Sequence, residues 1–147
     1  MNYDLLVTIH SAAAYVWLGS LFGSLIYATI ATRRAPDGVL TGALAVVRFS
    51  TRVGLPAALV LLVCGILMLA DDAGPSGGSL WVTIGFLMWI LAAVAGSGLM
   101  HPAFRRMRNA ANDAEAIEQA KRIIWIGGGE IIAIAIAIWV MGAQPGG

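Results

Sequence analysis

The chain has 147 residues, of which 59% are hydrophobic and only 12% charged, and its mean hydropathy is +0.84. A soluble domain is about one quarter charged, so this composition excludes an ordinary soluble protein. The formal net charge of +1 gives no electrostatic reason to expect a nucleic-acid partner. The composition therefore predicts a protein whose main partner is the lipid bilayer.

The apolar residues fall into four blocks, at residues 5–31, 53–70, 80–100 and 123–141. A helix needs about 20 apolar residues to cross a bilayer, and each block is long enough to do so, the second only just. In lipid, a helix satisfies its own backbone groups, whereas a lone strand does not. The sequence thus predicts an all-α integral membrane four-helix bundle, with residues 1–147 forming a single transmembrane domain.

The positive charges are distributed with complete asymmetry. All nine Lys and Arg residues lie in the two segments that join the first block to the second and the third block to the fourth. Because Lys and Arg accumulate in cytoplasmic loops, both segments are predicted to be cytoplasmic. We therefore predict a multi-pass protein of a bacterial inner membrane, with both termini on the outer, periplasmic side.

The two segments that carry the Lys and Arg residues are predicted to contain helices at the membrane surface. Residues 41–52 are predicted to form an interfacial helix, and residues 109–119 a short helix at the cytoplasmic surface.

In the first block, the Gly19-x-x-x-Gly23 motif lets another backbone approach closely. That motif indicates either a packing notch for a neighbouring span or a contact in a homodimer.

His10 lies in the first block, six residues and about 9 Å beyond Asp4. An ionisable side chain inside a membrane helix is costly and is therefore a functional candidate. Its imidazole is interpreted either as an axial ligand of a haem iron or as a side chain hydrogen-bonded to a neighbouring helix. Ala13 and Ala14 beside it leave room for a flat macrocycle, and Trp17 falls near His10 on the same face of the helix.

Glu130 lies near the middle of the fourth block, about 18 Å from its outer end. We expect this carboxyl to be protonated, or paired with His10 or water. It suggests a proton relay or a contact to a polar ligand, and the alternative is a carboxyl hydrogen-bonded to a helix. Cys64, at the depth of His10, is interpreted as a small apolar filler or as one half of a Cys–His copper pair. His101 lies at the opposite membrane face, so it is not a second ligand of the same haem.

Several short stretches resemble a known group of membrane proteins. The stretches are Leu5-Leu6, His10, Val16-Trp17-Leu18-Gly19, Phe22, Leu55-Pro56-Ala57, Gly65, Trp81, His101-Pro102, Arg105-Arg106, Arg108, Met141 and Pro145. Together they resemble the HemJ-type membrane protoporphyrinogen oxidases and the CopD-like copper-resistance family, in particular small four-span relatives of CopD. The resemblance implies haem binding at His10. The intramembrane lysine of the HemJ type has no counterpart, since Lys121 lies in a predicted cytoplasmic loop.

These observations lead to three functional hypotheses. The first is a protein that binds haem b or a related redox ligand near the outer leaflet, through His10, Trp17 and Glu130, for electron transfer or tetrapyrrole handling. The second is a non-catalytic accessory subunit of a larger respiratory or photosynthetic membrane complex. The third is copper or small-molecule transport. Whether the protein is an enzyme is left open by the sequence.

Overall fold

The first half of the chain forms two helices joined by a segment that is only partly described. The computed structural model describes residues 2–34, 45, 48–71, 74–75 and 79–144. Helix α1 spans Tyr3–Arg34. A π-helical turn at Ser50–Gly54, the first π segment, leads without a break into helix α2 at Leu55–Leu69. Most of the predicted interfacial helix at residues 41–52 lies outside the described residues.

The second half of the chain forms two long helical stretches. Helix α3 at Leu80–Val94 continues through a second π segment at Ala95–Met100 into helix α4 at His101–Arg108. Helix α5 then runs from Asp113–Ala143 in one piece. The polar stretch at residues 109–119 is therefore not a separate short helix, because its second half forms the first turns of α5.

The fold-class prediction is confirmed, because four helical stretches are long and apolar enough to cross a membrane and the described residues contain no strand. These spans are Tyr3–Ile30, Arg52–Leu69, Leu80–Arg108 and Ala114–Ala143. The alternating Ile and Ala residues near the end of the chain are helical, as lipid requires. Which membrane face the termini occupy stays a prediction.

Helix α5 has a defined start and a defined end. The Asn112 side chain accepts a hydrogen bond of 2.9 Å from the Glu115 N–H, while the Glu115 carboxylate accepts one of 3.1 Å from the Ala111 N–H. The first bond satisfies an amide that the first helical turn leaves without a partner, and the second ties the residue before the cap to the start of the helix. At the other end, Gln144 adopts a left-handed conformation with φ of 44°, which stops the helix.

The helices pack unevenly around α5. Helix α1 packs against both α2 and α5, and α3 and α4 pack against α5. In contrast, no Cα atoms of α2 and α3 come within 8 Å of each other in the described residues. The bundle is therefore open between α2 and α3. We call the end that holds the Lys and Arg residues the basic end, and the opposite end, where α1 begins and α5 finishes, the terminal end.

Two apolar clusters hold the bundle together. The central cluster consists of Trp17, Leu21, Ala57, Ala58, Ala92, Ile131 and Ile134. The basic-end cluster consists of Met100, Ala103, Met107, Ala116, Ala120 and Ile123. Because lipid is as apolar as these side chains, close packing of small residues contributes more to helix association here than burial from water does.

The Gly19-x-x-x-Gly23 motif does not act as a notch between spans. A Cβ atom built at Gly19 has no neighbour within 4 Å, and one at Gly23 meets only the Phe49 ring, at 4.0 Å. The packing interpretation is therefore wrong for the described residues. The homodimer interpretation stays a prediction.

Candidate functional site

A cavity of about 300 Å³ lies between the four spans in the half of the bundle near the terminal end. It exists because α2 and α3 do not approach each other. Tyr3 and Gln144, at the ends of α1 and α5, line it, so it reaches the terminal end of the bundle. Its volume is at the lower end of the range for small-molecule sites, about 300–1,000 Å³.

His10 lines this cavity and is held by a specific partner on α2. Its Nδ1 atom lies 3.0 Å from the carbonyl oxygen of Leu61. Because a carbonyl oxygen only accepts hydrogen bonds, Nδ1 carries the hydrogen and donates it. In the neutral ring, Nε2 then keeps its lone pair, which is the atom that binds a metal.

Gly65 makes the close approach of the His10 ring to α2 sterically feasible. A Cβ atom built at Gly65 would lie 3.4 Å from Cε1 and 3.6 Å from Nδ1 of His10. Leu61 and Gly65 are one helical turn apart, so the Nδ1–Cε1 edge of the ring lies against one turn of α2. The imidazole is therefore oriented by a backbone carbonyl and by a missing side chain, two features of α2 that do not depend on any charged group.

Aromatic side chains form much of the cavity wall. Trp17 is buried and lines the cavity together with Trp81, Phe86 and Trp89. The Trp89 indole N–H donates to the Ala58 carbonyl at 3.3 Å, which ties α3 to α2 across the opening between them. The predicted partners His10 and Trp17 are thus brought together in one predominantly apolar cavity.

Glu130 lies elsewhere. Its side chain is only 5% exposed, and it faces Gly96 in the second π segment, where a Cβ would lie 3.4 Å from Oε1. It does not line the His10 cavity. Its Oε2 atom has no hydrogen-bond partner among the described residues, so the expected pairing with His10 is not observed.

Comparison with known families identifies the group to which this architecture belongs. Residues 4–145 match the family model described as "Predicted integral membrane protein (DUF2269)". The chain belongs to this family. No curated protein and no solved structure matches the chain. Nothing in these comparisons connects DUF2269 to the CopD-like or HemJ-type groups, so that resemblance stays a prediction.

The DUF2269 bundle also gathers three residues that sequence reasoning missed. Met68, Met88 and Met141, from three different helices, line the same cavity as His10. The Met141 side chain occupies the space beside Gly85 that a Cβ would take. Their positions in the terminal half of the bundle could have been read from the sequence, but their common direction depends on the rotation of each helix.

The other two candidate residues of the sequence lie outside the cavity. Cys64 is buried, and its neighbour Gly65 is the residue that faces His10; both interpretations of Cys64 stay predictions. His101 is exposed at the start of α4, near the basic end. Among the described residues, no three His, Cys, Asp or Glu side chains come close enough to hold a metal ion.

Proposed function

We propose that this DUF2269 protein binds haem b or a related tetrapyrrole in the cavity, where His10 would hold the iron, for electron transfer or tetrapyrrole handling. The observation that supports the proposal is the hydrogen bond between His10 Nδ1 and the Leu61 carbonyl. A bond of this kind orients a ligating imidazole and leaves Nε2 free for iron. A histidine that served only to join two helices would need no adjoining cavity.

The residues present fit such a group. The cavity supplies one imidazole nitrogen and aromatic walls, from Trp17, Trp81 and Trp89. The enclosed volume is small, but three of its lining side chains are methionines, whose unbranched chains adapt readily to a ligand. A planar apolar ligand also suits the space between α2 and α3, because no Cα atoms of these two helices come within 8 Å of each other in the described residues.

The residues around the cavity each have a defined role in this proposal. His10 would hold the iron, while the Leu61 carbonyl and Gly65 hold the imidazole in place. The tryptophans exclude water and keep the surroundings of low dielectric constant, which influences the potential of a bound redox group. When bound, haem would supply one-electron chemistry.

A haemin titration of the detergent-purified protein tests this proposal. We expect a Soret band that grows to a 1:1 ratio of haemin to protein and that shifts when dithionite is added. His10→Ala should abolish the band, while His101→Ala, which changes the other histidine, should retain it. His10→Asn keeps an amide donor at the position of Nδ1 without the Nε2 lone pair, so it should fold normally and still lose the band. A colourless wild-type protein that takes up no haemin would overturn the proposal.

A second ligand is favoured by the methionines. Thioether sulfur and imidazole nitrogen are donors that copper(I) accepts, and His10, Met68, Met88 and Met141 all line the same cavity. Anaerobic titration with copper(I) against a competing chelator would measure its affinity. If copper rather than haem is the ligand, replacing all three methionines with leucine should weaken copper binding at least tenfold and leave the fold intact. An unchanged affinity would exclude the methionines as ligands.

We also propose that the basic end faces the cytoplasm of a bacterial cell. The described Arg and Lys side chains near this end are exposed, among them Arg33, Arg52 and Arg122. Positive charge at one end of the spans is retained on the cytoplasmic side during insertion. A C-terminal alkaline phosphatase fusion should therefore be active and the corresponding green fluorescent protein fusion dark. The reverse result would invert the topology and place the cavity at the inner leaflet.

A further inference from the structure

Three polar side chains are buried among the described residues, and they lie at one height in the bundle. They are Ser20 and Ser24, which are 2% and 8% exposed, and Glu130, which is 5% exposed. On α1 the serines lie between Trp17 and Leu25. Glu130 lies on α5 between Gly127 and Ile134.

The antiparallel packing of α1 and α5 fixes this common height. Trp17 and Ile134 belong to the central cluster, and a Cβ at Gly127 would lie 2.9 Å from the Leu25 side chain. The segments between these two pairs of neighbours therefore face each other. We call Ser20, Ser24 and Glu130, with the glycines that face them, the polar layer.

Both π segments reach the polar layer. A Cβ at Gly54, in the first π segment, would lie 2.8 Å from the Ser20 hydroxyl oxygen, and Gly96, in the second, faces Glu130. Inserted π turns are rare and occur frequently at functional sites. Each span thus contributes to the layer either a polar side chain or a glycine in a π turn.

The polar layer is rich in acceptors and poor in donors. The Ser20 hydroxyl donates to the Trp17 carbonyl and the Ser24 hydroxyl to the Ser20 carbonyl, both at 2.7 Å. With their hydrogens used in this way, the two hydroxyl oxygens offer only lone pairs to the interior. The Glu130 carboxyl adds two more oxygens, and its Oε2 has no partner among the described residues.

Among the described residues, no Lys or Arg forms an ion pair with Glu130. The nearest Lys or Arg along its own helix is Arg122, eight residues or about 12 Å away. Those of the other elements lie near the basic end, at Arg33, Arg52 and Arg105. Away from the ends of the spans, the other titratable side chains are tyrosines of α1, Cys64 of α2 and His10, which lies on the far side of the central cluster.

We propose that the polar layer is a second intramembrane site, separate from the His10 cavity, that binds a small monovalent cation, either a proton or a sodium ion, on the Glu130 carboxylate. A bound cation neutralises the charge that lipid disfavours and gives Glu130 Oε2 the partner that it lacks among the described residues. We call the position beside the carboxyl where Gly96 has no side chain the Gly96 niche. This proposal does not depend on the ligand of the cavity.

Labelling with two carbodiimides tests the site on the wild-type protein. A carbodiimide adds to a carboxylic acid in its protonated form, and rearrangement gives a stable N-acylurea with no atom lost. We expect the hydrophobic reagent dicyclohexylcarbodiimide to modify Glu130 in sodium-free buffer, as located by mass spectrometry of peptides. The water-soluble reagent EDC should instead modify the exposed Glu115 and Glu118. If Glu130 carries no dicyclohexylcarbodiimide adduct after labelling in sodium-free buffer, the proposal is overturned.

Adding salt then distinguishes the two cations. If sodium binds, sodium chloride should slow the labelling of Glu130 several-fold, and choline chloride at equal ionic strength should not. If the proton alone binds, neither salt should change the rate. Labelling slowed equally by both salts would contradict a site for a specific small cation.

A pair of glycine variants tests the location of the site. Gly96→Ala places a methyl group 3.4 Å from Glu130 Oε1 and should slow labelling several-fold, because it occupies the niche. Gly98→Ala lies in the same π segment, but its methyl group meets only Val94, at 4.0 Å, and should label like wild type. Equal rates in the two variants would refute the assignment of the niche. Glu130→Gln should lose the label and keep its response to haemin, which separates this site from the cavity.

Discussion

The contact between Gly54 and Ser20 sets how closely α2 approaches α1, and it can be perturbed with a single methyl group. A Cβ at Gly54 would lie 2.8 Å from the Ser20 hydroxyl oxygen, a separation at which one of the two groups must move. Ser20 has little freedom, because it is 2% exposed and donates a 2.7 Å hydrogen bond to the Trp17 carbonyl. Gly54→Ala should therefore force the two helices apart.

The expected cost follows from two opposing effects. Overpacking by one methyl group costs about 1–3 kcal/mol, while replacing glycine with alanine inside a helix returns roughly 1 kcal/mol. Gly98→Ala should gain the same stabilisation of roughly 1 kcal/mol without a clash, since its methyl group meets only Val94, at 4.0 Å. The difference in unfolding free energy between the two variants should thus be about 1–3 kcal/mol, with Gly54→Ala the less stable.

The clash can be removed from the other side. In Ser20→Ala the hydroxyl is gone, and the nearest remaining atoms to the Gly54 methyl group would be the Ser50 Oγ, at 3.7 Å, and the Ser20 Cβ, at 3.8 Å, both ordinary contact distances. The double variant should recover most of the loss, with a coupling of about 1–2 kcal/mol in a double-mutant cycle. Unfolding by SDS in mixed micelles, followed by circular dichroism, measures all four proteins. The contact between Gly54 and Ser20 would be refuted if Gly54→Ala were as stable as Gly98→Ala. It would also be refuted if the effects of Gly54→Ala and Ser20→Ala on the unfolding free energy were strictly additive.

Two further substitutions test the site and the cap of α5. Gly65→Ala brings a methyl group to 3.4 Å from the His10 ring and should be tolerated. The branched Gly65→Val should displace the ring and weaken haemin binding about 10–100-fold. Equal haemin affinities of the two variants would show that the position of the ring is unimportant. Asn112→Ala removes the acceptor of the 2.9 Å bond from the Glu115 N–H and should cost about 1 kcal/mol, measured by thermal unfolding. The matched change Asn109→Ala is not at this cap and should cost clearly less; an equal loss would argue against the cap.

The fold could be predicted because lipid leaves few alternatives. A run such as residues 123–141 has the alternation of a strand, yet it is helical, since only a helix pairs its own backbone groups in a bilayer. The ends of the helices were harder to place. Nothing in the polarity of residues 113–122 shows that they continue the fourth span, because their capping by Asn112 depends on local backbone geometry.

The site was predictable only in part, for a geometric reason. The depth of a residue follows from counting along a helix, which is why His10 and the Cys64–Gly65 pair were matched in height. The face that a residue presents depends on the rotation of its helix, which the inserted π turns alter and the sequence does not reveal. For this reason Cys64 was considered instead of Gly65, and the methionines of the cavity were not recognised as a group.

Helix backbones offer acceptors but no spare donors, which explains why His10 has a hydrogen-bond partner and Glu130 has none among the described residues. Inside a helix every backbone N–H is already used, whereas each carbonyl oxygen keeps a second lone pair. Side chains that donate can therefore be satisfied by any neighbouring turn, as His10 is by Leu61 and Trp89 by Ala58. A carboxylate only accepts, so the helices around Glu130 have no backbone hydrogen to give it. Its partner must bring its own hydrogen or positive charge, as a proton or a sodium ion bound in the polar layer would.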